Sequence, residues 1–392
     1  MIASEQDVTE TIATQDRLIG QIVGERNGAT TVLIGGMHGN EPAGVKAIQR
    51  VFYLLNERNI KIRGTIYGLI GNVAALEIGE RFINKDFNRM WESSTLQSVE
   101  DDPTATAETN ELHALLEVFE KIKNKHDGSF YFLDLHTTSS NSSPFAVFGD
   151  TLRNRKFALD LNVPIVLGLE EAIKGTMIEY LTDLGYVSLA YEAGQHDSPD
   201  SARRHEAAIW LALASSGQID KKDIPDFTQQ TTGLAQSFAG IPPIMEVTHR
   251  HAISPDDKFE MKPGFQNFQP VRKGQVLATF NGEDIAAHHD GVILMPLYQG
   301  LGDDGFFIAR PVRAYWLEIS KLLRKIRLDK LVSWLPGVSK HPVMANVYIV
   351  KQKIARWYAR EFLHLLGFRC EKVQAGKLLV SKRKYDFSPA GR

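Results

Sequence analysis

His38-Gly-Asn-Glu41 places an imidazole and a carboxylate three residues apart, just after the apolar run 31–34 breaks at Gly35-Gly36. Histidine nitrogen and carboxylate oxygen are ready donors to zinc, and a hydrolytic zinc site needs three protein donors with one position left for water. A second histidine closes another apolar run, in Phe132-Leu-Asp134-Leu-His136-Thr-Thr138. Side chains two apart on a strand share a face, so Asp134 could orient His136 from behind. Arg81 through Arg89, with Asn88, offers two guanidiniums and an amide suited to gripping a carboxylate. Glu192, at a strand end before Gly194-Gln195-His196, could serve as a general base if burial and a metal set its pKa. Each segment alone also fits an ordinary role: a turn, a capped histidine, a charged loop, a polar strand end.

Elements able to position these groups follow from the hydrophobic pattern. Short apolar runs at 31–34, 65–70, 130–135, 163–167 and 187–191 alternate with helical patterns over 43–58, 106–125 and 201–215. That alternation predicts an α/β fold with a mixed, mostly parallel sheet flanked by helices, and such sheets collect functional groups at the carboxyl ends of their strands. Residues 217–243, with Asp223-Ile-Pro-Asp and Ile241-Pro-Pro, read as a linker or a long excursion over the surface. Residues 244–313 are short, Gly-punctuated and strand-like. The stretch Val271-Arg-Lys-Gly-Gln-Val-Leu-Ala and Gly291-Val-Ile-Leu-Met-Pro296 resembles the barrel-sandwich fold of biotinyl and lipoyl carriers, without the lysine that carries their cofactor. The last segment shows helical patterns over 316–334 and 347–366, then a hairpin of 369–373 and 377–384 around Ala375-Gly376.

Composition narrows the classes further. Of the 392 residues 43% are hydrophobic and 23% charged, with no apolar run near the roughly 18 residues needed to span a bilayer. The amino terminus has neither the basic start nor the apolar centre of a secretory signal, which argues against export and for a cytoplasmic protein. Cys370 is the single cysteine, so any metal must be held by histidine and carboxylate. The net charge of −2 conceals a basic segment after residue 313, with 17 Lys and Arg against 5 Asp and Glu. Such a segment could meet an acidic partner, membrane lipid or nucleic acid, or form a solvated face balancing an acidic body.

Taken together, His38-Gly-Asn-Glu41, Asp86-Phe-Asn-Arg89, Asp134-Leu-His-Thr-Thr138 and Glu192-Ala-Gly-Gln195 resemble the motif series of the succinylglutamate desuccinylase and aspartoacylase family, within the zinc carboxypeptidase superfamily. The resemblance spans roughly residues 20 to 310. It implies a zinc carboxypeptidase-like catalytic α/β domain over 1–222, a small all-β domain covering the site over 223–313, and, outside the family pattern, a basic α+β extension over 314–392. It implies one zinc ion on His38, Glu41 and His136, with Glu192 as base and proton shuttle. Arg81 would polarise the scissile carbonyl, and Asn88 and Arg89 would bind the substrate carboxylate. Lys174 lies near the region where the family carries a second arginine, and Tyr298 stands for the tyrosine contributed by the β domain.

The function so implied is hydrolysis of the amide of an N-acyl amino acid or similar small acyl-amide. One alternative is a zinc carboxypeptidase acting on peptides with the same metal and the same carboxylate grip. Another is a nucleic-acid or membrane-surface binding protein with a vestigial zinc site, against which the intact set of His38, Glu41, His136 and Glu192 argues. A small acyl-amino-acid substrate, an acidic partner for the basic segment and a homo-oligomer complete the expected partners.

Overall fold

The computed structural model describes residues 17–92, 95–96, 106–254, 256–351, 354, 359–373 and 377–387. The first ten residues, the Ala375-Gly376 turn and part of the 347–366 pattern lie outside the described residues.

Among the described residues eleven strands form one sheet. In chain order they are β1 (Leu18–Val23), β2 (Arg26–Gly35), β3 (Arg63–Ile70), β4 (Phe130–Thr138), β5 (Phe145–Val147), β6 (Ile165–Leu167) and β7 (Val187–Gln195), then β8 (Ile244–Ala252), β10 (Pro270–Val271), β13 (Gly291–Leu294) and β14 (Asp304–Pro311). Their spatial order is β1-β3-β2-β4-β7-β5-β6-β8-β14-β13-β10. The central strands β3, β2, β4 and β7 pair in parallel, as do β6 with β5 and β8. Alternation sorts the side chains of these strands between two cores. Leu33, Leu133 and Leu189 pack with the helices Ala43–Glu57 and Pro199–Ser215, while Val32, Ile34 and Phe132 pack with Ala107–Lys125.

Pro42 precedes the helix Ala43–Glu57, and Thr106 caps Ala107–Lys125 by accepting from the Thr109 amide. Residues 217–243 are more ordered than a linker: they hold a 3-10 turn, Lys221–Asp223, and a helix, Phe227–Gln236, whose Leu234 is buried in the main core. From β8 onward the sheet turns antiparallel, and β9 (Phe259–Met261), β11 (Val276–Phe280) and β12 (Glu283–Ala286) form a separate three-stranded sheet. Met261, Leu277, Ile293 and Phe306 pack together there, joining this small sheet to β13 and β14.

The carboxyl-terminal segment carries the helix Tyr315–Lys325, a 3-10 stretch Leu328–Trp334, and a four-stranded antiparallel sheet. The sheet comprises β15 (Val338–Lys340), β16 (Val347–Lys351), β17 (Phe368–Val373) and β18 (Lys377–Lys382). The start of the 347–366 pattern is therefore a strand, and among the described residues helix follows at 354 and over Ala359–Leu365. Val347-Tyr-Ile-Val is a run of β-branched and aromatic residues, which favours pairing with β18 over helix.

Candidate active site

The ends of β2, β4 and β7 and the two loops after β2 and β3 build one cluster. Gly36 turns the chain out of β2 in the left-handed region, with φ +70°. A side chain at Gly44 would sit 2.7 Å from the Leu135 side chain, so glycine lets the following helix press against β4. Glu41 is thereby carried to His136: its Oε2 accepts the Thr137 amide at 2.7 Å.

Three donors converge. His38 Nδ1 lies 2.8 Å from Glu41 Oε1, and His136 Nδ1 lies 3.4 Å from Glu41 Oε2. One ligand atom from each of His38, Glu41 and His136 falls within 4.8 Å of the others, and all three residues are buried. The opposite ring nitrogens face carboxylates: His38 Nε2 is 3.1 Å from Asp86 Oδ1, and His136 Nε2 is 2.8 Å from Asp134 Oδ2. Carboxylates so placed fix imidazole orientation and leave Nδ1 for a metal.

The loop with Arg81, Asp86, Asn88 and Arg89 is irregular yet pinned. Buried Glu108 accepts from the amides of Ile83, Asn84 and Lys85 at 2.6, 3.0 and 3.3 Å. Arg81 Nη2 donates to Asp86 Oδ2 at 2.9 Å, and Nη1 stands 3.6 Å from Glu41. Asn88 Oδ1 accepts the Met177 amide at 3.0 Å, with Nδ2 3.4 Å from His136 Nε2. Arg89 pairs with Asp304 at 3.1 Å, which ties this loop to the start of β14.

Glu192 stands beside His136 in the register of β4 and β7. Its Oε2 is buried with no hydrogen-bond partner among the described residues. Burial pushes its carboxyl up to about 8; His136 opposes this, Glu41 and Asp134 add to it, and Arg81 opposes. Burial works against Glu41 too, yet the charges and hydrogen bonds of His38 and His136 hold it well below the usual carboxylate range. For His136, burial would lower the pKa, but Asp134 and Glu41 raise it well above the usual histidine value. An excess of carboxylates around two imidazoles is an environment made for a cation.

His38, Glu41, Arg81, Asn88, Arg89, His136 and Glu192 line one cavity of ≈ 70 Å³. Its other wall is apolar, with Val147, Leu169, Ile173, Ile178, Ala190 and Met295, interrupted by buried Glu170. A contiguous recess reaches Gln299 and Asp303 of the loop before β14, so the antiparallel part of the molecule borders the site. Lys174 and Tyr298 line neither space. Lys174 borders a separate hollow with Trp91, Glu179 and Arg369. The Tyr298 hydroxyl donates to the Lys262 carbonyl at 2.8 Å and accepts the Phe265 amide at 2.9 Å. Asp86 and Glu170 had no role in the sequence reading. Asp86 could have been suspected from the motif holding Asn88 and Arg89, whereas nothing local marks Glu170.

Parallel strands ending in a buried two-histidine, one-glutamate cluster beside an unpaired glutamate define a hydrolase-type α/β site, and comparison with known proteins agrees. The family model for the succinylglutamate desuccinylase/aspartoacylase catalytic domain matches residues 27–213. A succinylglutamate desuccinylase of Pseudomonas fluorescens (strain Pf0-1) is 30% identical over 270 residues, covering 66% of this chain and 74% of that protein. A second, of Pseudoalteromonas atlantica, is 23% identical over 278 residues, with coverage of 66% and 74%. Among solved structures, a succinylglutamate desuccinylase/aspartoacylase from Rhodobacter sphaeroides superposes with a TM-score of 0.55 at 21% identity, covering 75% of this chain and 88% of the other. The product-bound ectoine utilization protein EutE (DoeB) from Ruegeria pomeroyi shares the fold with a TM-score of 0.52 at 18% identity, covering 74% and 87%. The chain belongs to the succinylglutamate desuccinylase/aspartoacylase family.

Proposed function

We propose that this protein is a zinc-dependent deacylase that hydrolyses the amide bond of an N-acyl amino acid. The donor set fits the metal: two imidazole nitrogens and a carboxylate within 4.8 Å, with both remaining ring nitrogens held by carboxylates. His38, Glu41 and His136 would hold one zinc ion per chain. When bound, zinc lowers the pKa of water towards about 7 and polarises a carbonyl as a Lewis acid.

The chain's own residues supply the rest. Glu192 takes the proton of the attacking water and passes it to the departing amine, a task that suits a buried carboxyl with an unengaged oxygen. Arg81, buried beside Glu41, supports the developing oxyanion. Arg89 and Asn88 receive the substrate carboxylate, which then competes with Asp304 for the guanidinium. The apolar wall opposite takes the acyl group. Among the described residues no Lys or Arg lines that cavity besides Arg81 and Arg89, so a small uncharged acyl group fits better than a dicarboxylic one.

The observation carrying this reading is the unpaired Glu192 Oε2 beside the converged donors. The small cavity bordered by the loop before β14 favours short acyl groups over peptides, the substrates of a carboxypeptidase. The test pairs metal analysis of the purified protein with turnover of N-acetyl, N-propionyl and N-succinyl amino acids and short peptides. About one zinc per chain with N-acetyl substrates turned over is expected; protein that retains no metal after zinc reconstitution would refute the proposal.

A further inference from the structure

Ten of the twenty large hydrophobic side chains left exposed among the described residues fall between residues 315 and 354, the first half of the carboxyl-terminal extension. Scattered exposed apolar residues are ordinary, whereas a concentration of them marks a surface with a partner. The helix Tyr315–Lys325 and its cap show how it is built. Leu317, Ser320 and Arg324 face inward and are buried. Tyr315, Ile319, Leu322 and Ile326 follow at steps of four, three and four residues, which places them on one outward stripe. Leu322 is 59% exposed and Ile326 60%, and in the 3-10 stretch that follows Trp334 is 84% exposed.

Cations accompany this apolar surface. Arg313, Lys321, Lys325, Arg327, Lys330 and Lys340 are exposed, while over residues 313–351 Glu318 is the single exposed acid, 3.5 Å from Lys321. Asp329, the other acid there, is buried and paired with Lys382. An apolar stripe with aromatic residues and a basic surround is the composition that settles into the headgroup boundary of an anionic bilayer. Two copies joined symmetrically through the stripe would bring the same cations face to face. No helix among the described residues is long and apolar enough to cross a membrane, so the contact would be peripheral.

We propose that the carboxyl-terminal extension docks this enzyme on anionic membrane surfaces, with Tyr315, Ile319, Leu322 and Ile326 entering the headgroup boundary and the surrounding lysines and arginines meeting lipid phosphates and carboxylates. The proposal is independent of the deacylase reading, because none of these residues lines the proposed active site.

The test is co-sedimentation of the full-length protein with vesicles of phosphatidylcholine and phosphatidylserine, beside vesicles of phosphatidylcholine alone. Binding to the anionic vesicles and not the neutral ones is expected. The paired change Leu322→Glu and Ile326→Glu, on exposed positions, abolishes it. The paired change Lys321→Glu and Lys325→Glu, which leaves the apolar stripe intact, weakens it by more than about tenfold, since each cation near such a surface is worth about fivefold. Absence of binding to anionic vesicles, or binding that survives Leu322→Glu with Ile326→Glu, overturns the proposal. Light scattering that finds a dimer dissociated by those two changes would assign the stripe to a second copy instead and overturn it equally.

Discussion

Two histidines in this molecule stand between pairs of carboxylates, and their surroundings set them apart. His38 lies between Glu41 and Asp86 at 2.8 and 3.1 Å. His364, in the extension, lies between Glu171 and Glu246 at 3.0 and 3.0 Å, with Cys370 completing a second cluster that could hold a metal. Around His364 the charges are already matched: Arg383 takes the other oxygen of Glu171 and Arg310 the other oxygen of Glu246. Around His38 a second imidazole, His136, shares Glu41, and Glu192 keeps an oxygen unpaired. One cluster has its cations built into the chain and holds two parts of the molecule together. The other has donors left over, and leftover buried donors are what chemistry uses.

The largest effect should come from that spare oxygen. Glu192→Gln keeps the volume and removes the base, so kcat on the best N-acyl amino acid should fall by about 10²–10⁴-fold with metal content unchanged. If turnover survives, the unpaired oxygen is incidental and the contrast between the clusters collapses.

Next in size is the docking of the extension. Arg324 is buried and joins Asp150 and Asp386, at 2.6 and 3.2 Å, while Arg155 holds Asp150 from the other side at 2.8 Å. Arg324→Met removes one of the two guanidiniums on Asp150 and the one on Asp386, and should cost about 3–5 kcal/mol in urea unfolding. Arg310→Met, at a half-exposed pair, should cost at most about 1 kcal/mol. Equal costs would mean that the extension is not held by buried charge.

Asp134→Asn sharpens the contrast at the donors themselves. Weaker orientation of His136 should lower metal affinity by about 10–100-fold in a chelator competition. Glu246→Gln, the corresponding change behind His364, should leave the metal content of the protein unaltered.

The sequence showed some of this better than the rest. Strands carrying His136 and Glu192 and the helix after Pro42 were legible, because burial on both faces produces unbroken apolar runs, although β4 continues to Thr138 and β7 to Gln195. The convergence of His38, Glu41 and His136 depends on neighbouring strand ends, which ordered motifs suggest only as a set. Asp86 was visible only as a member of the motif holding Asn88 and Arg89; its place behind His38 was not legible, since 48 residues separate the two and only the fold brings them together. The basic extension was read most poorly. Net charge does not tell a solvated lysine from Arg383, buried against Glu170 and Glu171, or from Lys325, exposed beside the apolar stripe. Nor did periodicity separate β16 from a helix, because Val347, Val350 and Ile354 satisfy a helical spacing as well.

The smallest expected effect concerns pH and tests whether His364 is a fixed cation. Burial would lower its pKa, but Glu171 and Glu246 overcome that and raise it well above the usual histidine value. A raised pKa in the folded state means that the folded protein binds a proton that the unfolded chain releases near its ordinary pKa of about 6.5. The stabilisation is therefore complete below that value and is lost as pH rises through the folded pKa. The urea midpoint should decline on the alkaline side more steeply in the wild-type protein than in His364→Gln, which retains a hydrogen-bonding side chain and has no proton to lose. The measurement belongs on zinc-loaded protein, so that Glu192, whose own raised pKa would add a decline of the same sign, is compared in one metal state throughout. Parallel pH profiles for the two proteins would show that His364 is neutral when folded. The second cluster would then draw its positive charge from Arg383 and Arg310 alone, and the contrast with the first would narrow.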